Sequence, residues 1–126
     1  MTDAHREIFE RYLYAGALTR DPDAVAGLFT EDGVYEAPLL PPDGPLPTRL
    51  AGREAIRAGI SAFQQDDPGP VDPARSGFVL HDTTDPDVFI AEIDVVAGGT
   101  PFALIQIFRL RDGRIAHLRD YFPPPK

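Results

Sequence analysis

Apolar positions recur at helical spacing in the first half of the chain and alternate in the second. Residues 3–18 put Ile8, Tyr12 and Ala15 on one face, with Phe9 and Leu18 beside it, which predicts a helix. Thr2 or Asp3 is placed to cap its start. Asp21-Pro22 reads as an N-cap followed by proline at the first helical position. The short helix it opens carries Val25, Leu28 and Phe29 and stops near Glu31-Asp32-Gly33. Residues 34–37 read as a short strand, and 38–48 hold five prolines and read as a stiff loop. Ile56, Ile60 and Phe63 predict a third helix over about 52–65, and 66–76 form a second proline-rich connection. The runs 77–83, 87–97, 101–111 and 114–122 read as strands, separated by Asp85-Pro86, Gly98-Gly99 and Asp112-Gly113.

Helices first and an antiparallel meander last is an α+β pattern, most simply a curved sheet with helices over one face. Strand 101–111 is apolar on both sides: Phe102, Leu104, Gln106, Phe108 and Leu110 on one, Ala103, Ile105, Ile107 and Arg109 on the other. An antiparallel strand with one face in water should alternate more cleanly. The expectation is a homodimer through the sheet, with helices on the opposite face.

The turn at Asp112-Gly113 decides which residues meet. A two-residue loop sets Gln106 opposite Arg119; a three-residue loop over Arg111-Asp112-Gly113 sets it opposite Leu118. The longer loop sorts apolar with apolar and is preferred. It groups Phe102, Leu104, Gln106 and Phe108 with Ala116, Leu118, Asp120 and Phe122. It sends Arg109, His117, Arg119 and Tyr121 to the other face. Asp120 and Gln106 then lie among apolar neighbours, where a polar group needs a partner or a ligand. A carboxylate there has its pKa raised by desolvation and can serve as an acid or base near neutral pH; it can equally belong to a structural network.

Composition narrows the function classes. One domain, 1–126, is expected from 126 residues. The net charge is −8, and each half carries ten acids and six bases, so no basic arm exists to neutralise phosphates or an anionic membrane surface. There is no cysteine, so disulfides and thiolate sites are out, and three scattered histidines form no metal signature. The charged opening MTDAHREIFE reads as no signal peptide, and no apolar run approaches a span of ~20 residues. A soluble cytoplasmic protein that binds neither nucleic acid nor membrane is expected.

The order of elements resembles the nuclear-transport-factor-2-like fold, a cystatin-like cone of three N-terminal helices on a curved, mainly antiparallel sheet. FRLRDGRIAHLRDYF (108–122) is similar to the end of SnoaL-like polyketide cyclases and limonene-1,2-epoxide hydrolases. RYLYAGALTRDPDAVAGLFTEDGVYEAP (11–38) resembles the start of ketosteroid isomerases and SnoaL-like proteins. The resemblance implies an apolar pocket, a homodimer and no metal or organic cofactor. It places Asp120 at the aspartate acid/base and Asp94 at the second aspartate of the epoxide-hydrolase pair. Glu92 stands where that family has its bridging arginine. Tyr35 matches the water-binding tyrosine of the epoxide hydrolases, and Tyr12 the oxyanion-hole tyrosine of the isomerases. Ala37 and Gln106 replace the two isomerase aspartates.

The resulting expectation is cofactor-free acid/base chemistry, of cyclase or isomerase type, on a hydrophobic carbonyl-containing small molecule. Asp120 moves the proton, Tyr12 and Gln106 donate hydrogen bonds, and Tyr35, Phe63, Phe102, Leu104, Phe108 and Leu118 line the walls. Epoxide hydrolysis through Asp120, Asp94 and Tyr35 is one alternative; a non-catalytic binding or dimerisation module is another. Asp94 stays open: a two-residue Gly98-Gly99 turn points it outward, a three-residue turn inward. The loop 38–48 reads as a lid or as a rigid surface connection.

Overall fold

A computed structural model of the chain describes residues 3–44, 46–65 and 69–123. Thr2, the side chains of Asp3 and Leu18, and residues 66–68 of the second polar connection lie outside what is described. Helix α1 (Asp3–Leu13) runs into a π-helical turn, Tyr14–Leu18, closed by the Thr19 N–H on the Tyr14 carbonyl at 2.8 Å. Helix α2 (Pro22–Gly27) starts as its sequence dictates, with the Asp21 side chain accepting from the Asp23 and Ala24 N–H groups. Strand β1 (Phe29–Glu36) follows, then β2 (Arg49–Ala51), α3 (Arg53–Phe63), β3 (Gly77–Asp82), β4 (Val88–Ala97), β5 (Thr100–Arg111) and β6 (Arg114–Tyr121).

The architecture is α+β: helices packed on a curved six-stranded sheet of order β2-β1-β6-β5-β4-β3. The sheet is antiparallel except where β1 lies parallel to β6. Two expectations are corrected here. The second helix ends at Gly27, and residues from Phe29 onward are already strand, because Phe29 and Val34 to Glu36 find partners on β6. The proline-rich segment ends in β2, a three-residue strand that pairs with β1 and that local propensity does not announce.

The β5–β6 hairpin differs from the expected three-residue loop in an informative way. Arg111 pairs with Arg114 across a two-residue Asp112-Gly113 turn, with φ of 53° and 77° at its two central residues. That turn alone would put Asp120 on the wrong face. The register then shifts between Arg109 and Leu110: Leu110 faces Ile115 while Arg109 faces His117, leaving Ala116 as the extra residue of a bulge. The bulge restores the expected sorting of faces, one residue pair further along. Gln106 therefore meets Asp120 rather than Leu118, and Phe108 meets Leu118.

The core sits between α1 and the concave face of the sheet. Phe108 is its hub: it stacks on Phe89 at 4.7 Å with planes 2° apart and meets Phe9 and Tyr12 edge-on at 5.8 and 5.5 Å. Aromatic pairs in these geometries add to the burial of their area. In the proline-rich segment, Leu40 is buried in the same core and Leu46 packs against it, while Leu39 is exposed. No helix among the described residues is long and apolar enough to cross a membrane.

Because Phe108 is wholly buried and touches three other rings, Phe108→Ala should cost about 3–5 kcal/mol. Urea denaturation of the two proteins measures this, and a loss under about 1 kcal/mol would contradict the packing described.

Candidate active site

Asp120 lies near the end of β6, with Leu118 two residues before it on the concave face. Strand alternation puts it there, and the neighbouring strands close over it until only 6% of its surface is exposed. Tyr35 reaches it from β1. Tyr35 pairs with Leu118, so its side chain shares the concave face, and its hydroxyl donates to Asp120 Oδ2 at 2.7 Å. Gln106 stands directly across on β5 and is equally buried.

Burial is the dominant influence on Asp120 and pushes its carboxyl from the ordinary 3.8 up to about 6. Donation from Tyr35 and the pull of Gln106 oppose that rise without cancelling it. Asp120 Oδ1 has no hydrogen-bond partner. Gln106 Oε1 is likewise buried and unpartnered. Two buried acceptors without donors, on cross-strand neighbours, are unusual in a native interior.

Tyr12 comes from α1. Burial first, then the nearby Asp120 charge, raise its hydroxyl well above the ordinary tyrosine value, so it stays a donor. Tyr35 is raised by burial, then by Asp120 and Tyr12, and stays protonated too. The structure therefore brings together Asp120, Tyr12, Tyr35 and Gln106. Phe63 of α3 stands beside this group, its ring centroid 6.0 Å from that of Tyr35. Phe108 and Leu118 are fully packed and form the floor of the site rather than an open wall. Leu104 is half-buried, and Phe102 reaches the solvent-exposed end of the same face.

Asp94 does not join them. The Gly98-Gly99 turn is the two-residue form, with φ of 58° and 81°, and Ala97 pairs with Thr100 across it. That register turns Ala91 and Ile93 inward and leaves Glu92 and Asp94 exposed on the outer face. Asp94 is thus separated from Asp120 by the thickness of the sheet, and the two carboxylates form no acid pair. His81 bonds Glu92 on that outer face, and His117 bonds Glu36 there while taking a 3.2 Å contact from Arg109. Sequence patterning passed over His5, which is buried on α1 with both ring nitrogens bonded. A lone histidine on an apolar helical face was the only available signal.

The sequence and the fold, taken as wholes, are similar to those of known proteins. The chain is 34% identical over 103 residues to an uncharacterized PhzA/B-like protein of Pseudomonas aeruginosa, covering 77% of this chain and 69% of that one. A candidate isomerase from Bacillus subtilis superposes with a TM-score of 0.74 at 25% identity, over 97% of this chain and 89% of the other. A protein from Catenulispora acidiphila with a ketosteroid isomerase-like fold superposes with a TM-score of 0.69 at 21% identity, over 93% and 85% of the two chains. That third likeness speaks for the fold alone. The SnoaL-like domain family matches residues 9–118, from α1 into β6, and the chain belongs to that family.

Proposed function

We propose that this protein carries out acid/base chemistry on a hydrophobic small molecule that contains a carbonyl group, with Asp120 moving the proton. One observation carries the reading. Asp120 is a buried carboxylate with one oxygen anchored by Tyr35 and the other unpartnered, and it ionises at about 6. An acid or base works best when its pKa lies near the working pH.

In the ionised form, Asp120 takes a proton from the carbon beside the substrate carbonyl. The C–H electron pair moves into the carbonyl, giving an enolate and a protonated Asp120. Tyr12 donates a hydrogen bond to the oxygen where that charge develops, a contribution that counts most in a dry site. Tyr35 cannot do this while its proton is given to Asp120 Oδ2, so it acts through the carboxylate. Asp120 then returns the proton to another carbon, completing an isomerisation. If the enolate carbon instead attacks a second carbonyl of the same molecule, the proton goes to the new alkoxide. Neither route needs a cofactor. Tyr35, Phe63 and Leu104 supply apolar surface for the substrate. The comparison with a candidate isomerase supports this class of reaction.

A second copy of the chain on the outer sheet face is part of the same proposal. Val79 and Ile105 are exposed there by 57% and 37%, with Ile90, Ile107 and Tyr121 half-buried beside them. The same face carries the Glu36, His117, Arg109 and Arg119 cluster, in which both charge signs occur. A two-fold interface needs one patch that complements itself, and apolar residues beside charges of both signs favour that.

Three outcomes test the reading. Asp120→Asn should lower kcat by about a hundredfold or more on enolisable ketones. The wild-type rate should rise with pH through about 6, and Tyr35→Phe should move that limb to higher pH, because it removes a hydrogen bond that holds the carboxyl down. Unchanged turnover in Asp120→Asn, or a ligand always recovered unaltered, would sink the assignment.

Stability gives a second, activity-free check. The unfolded carboxyl ionises near 3.8 and the folded one near 6, so below both values burial of Asp120 carries no ionisation penalty. As pH rises between them, the unfolded state gains by ionising first. Wild type should therefore lose about 2 kcal/mol relative to Asp120→Asn between pH 4 and pH 7, most of what a shift of about two pH units corresponds to. Urea melts at the two pH values measure it, and a constant difference would contradict the buried titration.

For the assembly, light scattering should give about twice the 13.8 kDa chain mass, and Ile105→Asp should return it to the monomer value. A wild-type monomer would remove the second copy from the proposal.

A further inference from the structure

Both oxygens of Asp120 have a task in proton transfer; Gln106 Oε1 has none. Asp120 Oδ2 is anchored by the Tyr35 hydroxyl, and Oδ1, which has no partner, is free to take the proton. Gln106 stands across from Asp120 in the β5–β6 ladder and is 5% exposed. Its Oε1 is buried and accepts no hydrogen bond. A buried amide oxygen left bare is costly, and native interiors hold few of them.

The amide is held one way round. Gln106 lowers the Asp120 carboxyl as a side-chain donor does, so its N–H2 end is the one turned to the carboxylate. Turning the amide over would set Oε1 against an ionised carboxylate, acceptor against acceptor. Among the described residues, no side chain around Oε1 supplies the missing hydrogen. Its neighbour on β4 is Ala91, wholly buried and without a polar side-chain atom. Leu104 and Phe108, on the same face of β5, carry no donor. Tyr35 on β1 has given its hydroxyl hydrogen to Asp120, and the Tyr12 hydroxyl on α1 does not reach Oε1.

We propose that Gln106 is a specificity-determining residue whose Oε1 accepts a hydrogen bond from a hydroxyl group of the substrate, so that the site takes hydroxy ketones in preference to their deoxy counterparts. This rests on the acid/base reading of Asp120: Tyr12 serves the carbonyl, Oδ1 the C–H and Oε1 the hydroxyl. Directly opposed residues on paired strands have their Cβ atoms only about 5 Å apart. The hydroxyl therefore sits on the carbon that loses its proton or on the next one, not at a remote end of the molecule. An ammonium in that place would donate too, but its charge would lower the basicity of Asp120 that the reaction uses. A ketone without the hydroxyl seals the bare oxygen beneath it, and such a mismatch discriminates strongly.

Acetophenone, phenacyl alcohol and phenacyl methyl ether test this at pH 8, where Asp120 is ionised. They differ only in bearing hydrogen, hydroxyl or methoxy on the carbon beside the carbonyl. Propiophenone and 3-hydroxypropiophenone move the hydroxyl one carbon out. NMR titration gives dissociation constants, and deuterium exchange beside the carbonyl, above the enzyme-free rate, reports proton removal. In one of the two series the hydroxy ketone should bind about tenfold or more tightly than its deoxy partner, and the methyl ether should bind no better than acetophenone. Gln106→Leu should abolish the preference by weakening the hydroxy ketone alone; the contrast on the wild-type protein decides the matter should that variant not fold. Equal affinity for hydroxy and deoxy ketones in both series, as when a water alone fills Oε1, would overturn the proposal, and so would a preference that survives Gln106→Leu. If the preference held while no ketone exchanged its proton, Gln106 would stand as the hydroxyl acceptor and the acid/base reading would fall. If all the ketones exchanged but bound equally, the acid/base reading would stand and the role of Gln106 would fall.

Discussion

The hydrogen bond from Tyr35 to Asp120 is the interaction on which the site depends. It joins β1 to β6, 85 residues apart, and it is the bonded half of a carboxylate that the fold has closed off from water. A charged carboxylate in such a place is costly unless donors serve it. One hydroxyl serves one oxygen, and the other oxygen is left without a partner. That partial service is why burial outweighs hydrogen bonding and the carboxyl titrates near neutral pH rather than in its ordinary range. Full service would have made Asp120 a structural anion.

Everything that places this pair follows from strand register. Tyr35 reaches Asp120 because β1 runs parallel to β6, with Tyr35 level with Leu118. Asp120 faces inward because Ala116 is bulged out after a tight two-residue turn. Without the bulge, every side chain from His117 onward would change faces. The same alternation on β4, which has no bulge against β5, holds Asp94 on the outside. Two aspartates of similar sequence setting thus end on opposite sides of one sheet. That difference keeps the two carboxylates from forming a pair.

The helices complete the site by closing it. Tyr12 meets Phe108 edge-on, Phe108 packs in turn against Phe9 and Phe89, and the same file extends to His5 near the start of α1. Packing of this density leaves few alternative positions for a side chain. Burial, and then the nearby Asp120 charge, keep the Tyr12 hydroxyl protonated.

Much of this was readable in the sequence, for a reason of period. Ile8, Tyr12 and Ala15, or Ile56 and Ile60, recur at helical spacing, and the C-terminal runs alternate around glycine turns, so element type and the α+β class follow from local pattern. Asp120 among apolar neighbours stood out by the same logic. What pattern does not carry is pairing between distant segments. The strand at Phe29 looked helical, and β2 looked like loop, because each is held extended by partners far along the chain. The bulge at Ala116, the outward turn of Asp94 and the two bonds to the His5 ring are likewise long-range outcomes. Local periodicity determined the elements and the face on which a carboxylate would be buried. Tertiary structure alone decided which hydroxyl meets it, because that contact spans 85 residues and depends on a register set by a single extra residue.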